Sequence, residues 1–385
     1  YEAFDNSDSF TNSLNGLSFP EFNRKDSLLT NTIYQHSDST NRNFGKKYKK
    51  LFSDSKNIDV LFHATVTKLN VAKNGKKIQS VQVEDLSGKK CTINATIYVL
   101  ASGALENPRL LLNSFDYFSY GIGNENGFVG SCFMSHPGFS AVGEVFKTSK
   151  GFCISNNSYS SNLTSQFSNS SSTNQSLQIL RHGLDMKYFR DLANPSTYFS
   201  GRLLTEYEKL FKNFSLREAI QKTSCRFKGE YSSNLWNVGV SIEQEPSKRN
   251  YLKLNNSSKD IFGVPTIDMF WSEISNLEKK TVVESLKGMG REFALSDSGR
   301  VRLTEALLSE EIFQSEDSVN HHIGTTRMAK TSDKGVVDKN CKVFNLSNLY
   351  IAGSSVFPTS SIVNPTFTII ALALRLGDHL KSELV

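Results

Sequence analysis

Residues 318–385 read SVNHHIGTTRMAKTSDKGVVDKNCKVFNLSNLYIAGSSVFPTSSIVNPTFTIIALALRLGDHLKSELV, and their pattern decides how the rest is read. Residues 349–352 are a short apolar run, the mark of a buried strand, and they stop at Gly353-Ser354. Small and polar residues follow. A helical periodicity then starts at Asn364-Pro365-Thr366 and passes through Ile369, Leu372, Leu376 and Leu380. Proline suits the first helical turn, where its missing N–H would be unpaired anyway. That turn offers free backbone N–H groups and the positive end of the helix dipole, a seat for an anionic group. Upstream, His321 and His322 lead into Gly324, Thr325, Thr326 and Arg327. A histidine, an asparagine and a helix N-terminus delivered to one place suit proton abstraction beside a cofactor that gains negative charge.

The chain has 385 residues, enough for two domains or one with a large insertion. Its net charge of +6 comes from 44 basic and 38 acidic residues and is spread thinly. The densest basic run, KKYKK at 46–50, has no aromatic-rich groove beside it and reads as a solvated helix face, so no nucleic-acid partner is expected. The 5 cysteines include no C-x-x-C pair, which argues against a zinc site or a disulfide framework. The longest apolar run, 367–374, is too short to span a bilayer and closes at Arg375. With no visible signal peptide, the cytoplasm is the expected location.

Residues 1–43 are polar and read as loop with one short helix; a helix is expected over 44–52. Strands are expected at 57–62, 65–71, 78–84 and 92–100, with hairpin turns at Asn74-Gly75 and Ser87-Gly88. Ser102-Gly103-Ala104 then opens a helix over 105–113, a strand–glycine–helix unit of the kind that lets backbone approach a nucleotide cofactor. Strands follow at 139–146 and 152–154. Residues 155–176 are Ser/Asn-rich and read as an exposed loop. Helical character is expected at 177–192 and 202–221, strands at 236–243, 250–254 and 260–271, a long amphipathic helix at 273–296 and a shorter one at 302–311. Gly121-Ile122-Gly123 and Gly288-Met289-Gly290 do not complete G-x-G-x-x-G and read as ordinary turns.

Five stretches carry a family resemblance. They are H-x-x-G-T-T-R-M from His321, G-V-V-D from Gly335, N-L-Y-I-A-G-S-S-V-F-P-T from Asn348, N-P-T-x-T-I-x-A-L-A-L-R-L from Asn364, and I-Y-V-L-A-S-G-A-L-E-N-P-R-L-L-L from Ile97. Together they resemble the glucose–methanol–choline (GMC) oxidoreductases, which are FAD-dependent. Residues 121–137 resemble the passage linking the FAD and substrate domains of that family, with Ser131 where Arg is usual. In this passage His136 reads as structural rather than catalytic.

The resemblance implies a mixed α/β (α+β) fold. A discontinuous FAD-binding domain would comprise 44–118 and 318–385, after a polar segment, 1–43. The inserted substrate domain, 119–317, would be an antiparallel sheet with helices. The implied reaction is oxidation of an alcohol, sugar hydroxyls included, by hydride transfer to flavin N5. The partners are a small alcohol or sugar and an electron acceptor that the sequence does not specify. His321, three residues before Gly324, takes the family's catalytic base position, with His322 as runner-up. Asn364 takes the second catalytic position and would orient the substrate hydroxyl, a role its non-titrating amide suits. Val66 would meet the adenine through its backbone. Ala101, Ser102 and Gly103 would pack along the cofactor. Gly353 and Ser354 would pass its pyrophosphate or ribityl chain, and Pro365 and Thr366 would bring the helix N-terminus to the flavin pyrimidine. Many members have Asp where this chain has Ala352. The βαβ unit with G-x-G-x-x-G that opens such enzymes is not found among these residues, so the chain reads as a GMC protein without its first portion. The alternative reading is a non-catalytic scaffold or binding module that holds no flavin.

Overall fold

Alternation of apolar and polar positions organises the strands, and glycine turns separate them. The computed structural model describes residues 27–35, 37, 41–147, 154–155, 163–188, 230–231, 235–271, 274–314, 317–318 and 321–384. The chain starts with β1 (Leu29–Gln35) and two short helices, α1 (Phe44–Lys47) and α2 (Lys49–Asp54). Next come β2 (Thr65–Val71), β3 (Ile78–Glu84), β4 (Lys90–Ile93), β5 (Tyr98–Leu100) and α3 (Gly103–Asn113). Then follow β6 (Pro137–Lys147), β7 (Leu163–Asn169), α4 (Ser171–Leu177) and β8 (His182–Tyr188). After these lie β9 (Leu235–Ile242), β10 (Tyr251–Lys259), β11 (Pro265–Phe270) and α5 (Asn276–Leu295). The last elements are β12 (Gly299–Leu303), α6 (Glu305–Leu308), β13 (Leu349–Ile351) and α7 (Thr366–Leu384).

Two compact units share these elements. One gathers Tyr1–Lys56, Gly138–Ile242 and Lys279–Asp317; the other gathers Asn57–Pro137, Glu243–Glu278 and Ser318–Val385. In the first, an antiparallel sheet runs in the order β1-β7-β8-β9-β6-β12. On β9, Trp236, Val238, Val240 and Ile242 are buried, the period of two that a strand imposes. Helix α5 packs on this sheet through Phe293, whose ring meets Phe167 edge-on at 6.2 Å. Glu144, buried on β6, accepts from Arg302 Nε on β12 at 2.7 Å, so the buried carboxylate is paired.

The second unit holds the chemistry-bearing motifs. An antiparallel sheet β2-β3-β4, a parallel pair β5-β13 and a hairpin β10-β11 surround α3. Leu69, Ile78, Leu111, Val337, Ile351 and Leu376 belong to its core. Arg109 pins α3 to the β10–β11 hairpin, donating to the Pro265 carbonyl at 2.7 Å and to Asp260 at 2.6 Å.

The mixed α/β fold stands as expected, and several local expectations fail. Residues 29–35 form β1 rather than loop, because β7 offers them a full antiparallel ladder. Residues 155–176, read as loop, contain β7 and α4, the helix being started by Ser170, whose Oγ accepts from the Thr173 N–H at 3.1 Å. Residues 177–192, read as helical, contain β8, which pairs with β7 on one side and β9 on the other. Pairing on both edges outweighs local propensity. Residues 57–62 form no strand, and residues 92–100 split into β4 and β5. Gly288 and Gly290 lie inside α5 rather than in a turn. Arg302 is on β12, so the last short helix starts only at Glu305. The helix expected at 202–221 lies outside the described residues.

Candidate active site

Strands β5 and β13 run parallel, and each ends in a turn at the same edge. The ladder continues one residue further, where the Ala352 N–H donates to the Leu100 carbonyl at 2.7 Å. The carboxyl ends of parallel strands are where ligands bind in such sheets. Asn107, fully buried on α3, ties the two turns together. Its Oδ1 accepts from the Ser102 N–H at 2.9 Å, and its Nδ2 donates to Ser355 Oγ at 3.0 Å. Gly353 has φ +110° and ψ −174°, a conformation open to glycine and strained for other residues. Nothing lies within 4 Å of where a Cβ would stand on Gly353 or on Gly103, so both turns face open space. Ala101 and Ser102 are exposed and Ser354 is buried, its hydroxyl donating to the His322 carbonyl at 2.7 Å.

That last bond brings the histidines to the same edge. Ile323 and Met134 exchange both backbone bonds, at 2.9 and 3.0 Å, as an antiparallel pair. Two residues further along, this register sets His136 directly opposite His321. Their rings meet edge-to-face with centroids 5.1 Å apart. Gly324, at φ +90°, makes the turn possible, since any Cβ there would strike the Cys132 carbonyl. His322 instead lays its ring 5.7 Å from that of Phe133, which stands edge-on to Trp271. His321 Nδ1 and both ring nitrogens of His136 are buried without a hydrogen-bond partner among the described residues.

Burial governs the protonation of all three. It pushes His136 down to about 4, the neighbouring His321 adding to the shift while the backbone of Ser361 and Val363 opposes it. Burial also lowers His321 below the ordinary histidine value, reinforced by His322, and lowers His322 alone. All three imidazoles are therefore neutral near pH 7.

The loop before α7 is held to the same strand. Gln244, buried, accepts from the Ser135 N–H at 2.8 Å, and its own N–H donates to Ser360 Oγ at 3.1 Å. Glu243 accepts from the Ser361 N–H at 3.1 Å. Asn364 follows and is exposed. Pro365 precedes the first helical residue, Thr366, and its carbonyl accepts from the Ile369 N–H at 2.9 Å. Bonds thus join the segments of His321, Ser354, Ser102 and, through Gln244, the approach to Asn364. Val66 is half exposed on β2, which is tied to α3 where Asn113 donates to the Thr67 carbonyl at 2.9 Å. Sequence reasoning passed over Asn107 and Gln244. A polar residue on the apolar face of a helix was the available signal for Asn107; nothing local marked Gln244. Two open glycine turns at the carboxyl ends of a parallel strand pair fit an extended phosphate-bearing cofactor.

Two family models, both described as GMC oxidoreductase, match residues 38–138 and 246–373, together more than half of the chain. The chain is 26% identical over 333 residues to 2-methyl-1,2-propanediol dehydrogenase of Mycolicibacterium austroafricanum, covering 84% of this chain and 54% of that protein. It is 23% identical over 314 residues to the fructose dehydrogenase large subunit of Gluconobacter japonicus, covering 81% and 52%. The chain thus spans about half the length of the curated relatives it matches. Among solved structures, pyridoxine 4-oxidase from Mesorbium loti is similar in fold, with a TM-score of 0.56 at 16% identity, covering 96% of this chain and 68% of that one. No described helix is long and apolar enough to cross a membrane.

Proposed function

Because this chain belongs to the GMC oxidoreductase family, whose members are FAD-dependent, we propose that it oxidises the CH–OH group of a small alcohol or sugar with FAD. The named relatives, a diol dehydrogenase and a fructose dehydrogenase subunit, support that substrate class. The observation that carries the reading is the Ser354–His322 bond, which holds His321 beside the open Gly353 turn.

FAD, when bound, supplies flavin N5 as the acceptor of the carbinol hydride. Gly353 and Ser354, with Ala101, Ser102 and Gly103, would hold its phosphate-bearing chain, and Val66 its adenine end. Pro365 and Thr366 would set the positive end of α7 against charge that develops on the ring. His321 takes the hydroxyl proton. Its depressed proton affinity leaves it neutral, as a base must be, while His322 is committed to Phe133. Asn364 hydrogen-bonds the substrate hydroxyl and turns it toward His321 without titrating.

The test is anaerobic stopped-flow reduction of the FAD-loaded protein by a diol or a sugar. His321→Ala should slow reduction by about 10²–10⁴-fold with FAD still bound. Reduction at the full rate would remove His321 as the base. Purified protein with no stoichiometric flavin absorbance would overturn the reading in favour of a flavin-free scaffold.

A further inference from the structure

We propose that His136 is a positioning residue for His321, bracing its imidazole and the backbone that leads to Asn364. This rests on the reading of His321 as the base. The placement follows from register. The Met134–Ile323 bridge makes residues 136 and 321 direct neighbours, and the rings meet at 5.1 Å with an interplanar angle of 75°. On its other side His136 faces the backbone of Ser361 and Val363, just before Asn364. Three segments are therefore gathered around one buried ring. Gln244 and Glu243 fasten the same segments through Ser135, Ser360 and Ser361.

A phenyl ring would fill this space without burying polar atoms. His136 is 3% exposed; the backbone of Ser361 and Val363 lies beside its ring, but neither ring nitrogen makes a well-formed hydrogen bond among the described residues. Buried polar atoms left unpaired are costly and call for an explanation. On His321, Nδ1 is likewise buried and without a partner among the described residues. Rings with centroids 5.1 Å apart are at a separation that accommodates an N–H···N hydrogen bond once the nitrogen edges turn toward each other. The bond would fix the His321 tautomer and, when His321 takes a proton, accept its N–H. A third group that orients the base is a recurring device of proton-transfer sites. Burial keeps His136 neutral, so it can accept that bond rather than repel a charged neighbour. Among the described residues, the other titratable groups near the pair are His322 on the same segment and Glu243, which holds Ser361.

The test uses the full chain labelled with ¹⁵N-histidine. In wild type the two His321 nitrogens should show well-separated shifts, the signature of one tautomer. In His136→Phe, which keeps the ring and removes its nitrogens, the shifts should converge as tautomers average. In the FAD-loaded protein, kcat should fall about 10–100-fold with KM within about twofold, and His136→Gln should recover part of the loss. Unchanged His321 shifts in His136→Phe would overturn the proposal. So would averaged His321 tautomers in wild type, which needs no variant to fold. Failure of the base reading is separate: His321→Ala would then reduce flavin normally while the His136 effect on the His321 shifts persisted.

Discussion

Two histidines are buried to the same degree in different units. His182 sits on β8 of the antiparallel sheet and His136 at the edge of the second unit's core. Burial pushes both down to about 4. Their neighbours differ. His182 Nδ1 lies 3.3 Å from the Leu180 carbonyl, and the opposing residue on β9 is Ile242. His136 faces another histidine and the backbone before Asn364. Burial alone makes a histidine neutral. A role in chemistry also needs a titratable partner, and among the described residues His136 meets one in His321.

The sharpest way to break this contrast is activity. His321→Ala should lower the rate of flavin reduction by about 10²–10⁴-fold, whereas His182→Leu should leave it within about twofold. Equal losses in stopped-flow traces would erase the distinction. Acid stability comes next. The unfolded chain takes up a proton at each histidine near pH 6.5, but the folded chain does so only near pH 4. Stability should therefore fall as pH drops from about 6.5 to about 4 and level off below, by about 3 kcal/mol for each histidine. Urea unfolding midpoints across that range should show the slope, and His182→Leu should reduce it by about half. A slope unaffected by that change would mean His182 is not held neutral by burial. The smallest effect is expected at Asn107. Removing its amide with Asn107→Ala leaves the Ser102 N–H and Ser355 Oγ without partners at about 1–3 kcal/mol in all. Calorimetry should show a lower Tm, and FAD titration a weaker Kd. An unchanged Kd would separate the tether from the cofactor cradle.

Much of the second unit was legible because its signals are local. Asn74-Gly75 and Ser87-Gly88 fix tight turns between alternating strands, and both glycines adopt positive φ. The short apolar run before Gly353 and the periodic run after Pro365 likewise became β13 and α7. The first unit was harder. Strand β7, LTSQFSN, carries few apolar residues and looks like loop until β1 pairs along it. Strand β8 has no local mark of its state; flanking strands decide it. For His136 the sequence carries no sign that His321 stands opposite it, since that pairing comes from the Met134–Ile323 register.

The sequence by itself determined the turns, two short strands with glycine ends, the last helix and the motifs that mark the GMC family. These depend on residues within a few positions of one another, where sterics, capping and periodicity act directly. Only the tertiary structure decided that His136 stands opposite His321, that Asn107 joins two turns and that Gln244 holds the loop before Asn364. Those pairings join residues far apart in the chain, through an antiparallel register and buried hydrogen bonds that exist only once the core has closed around them.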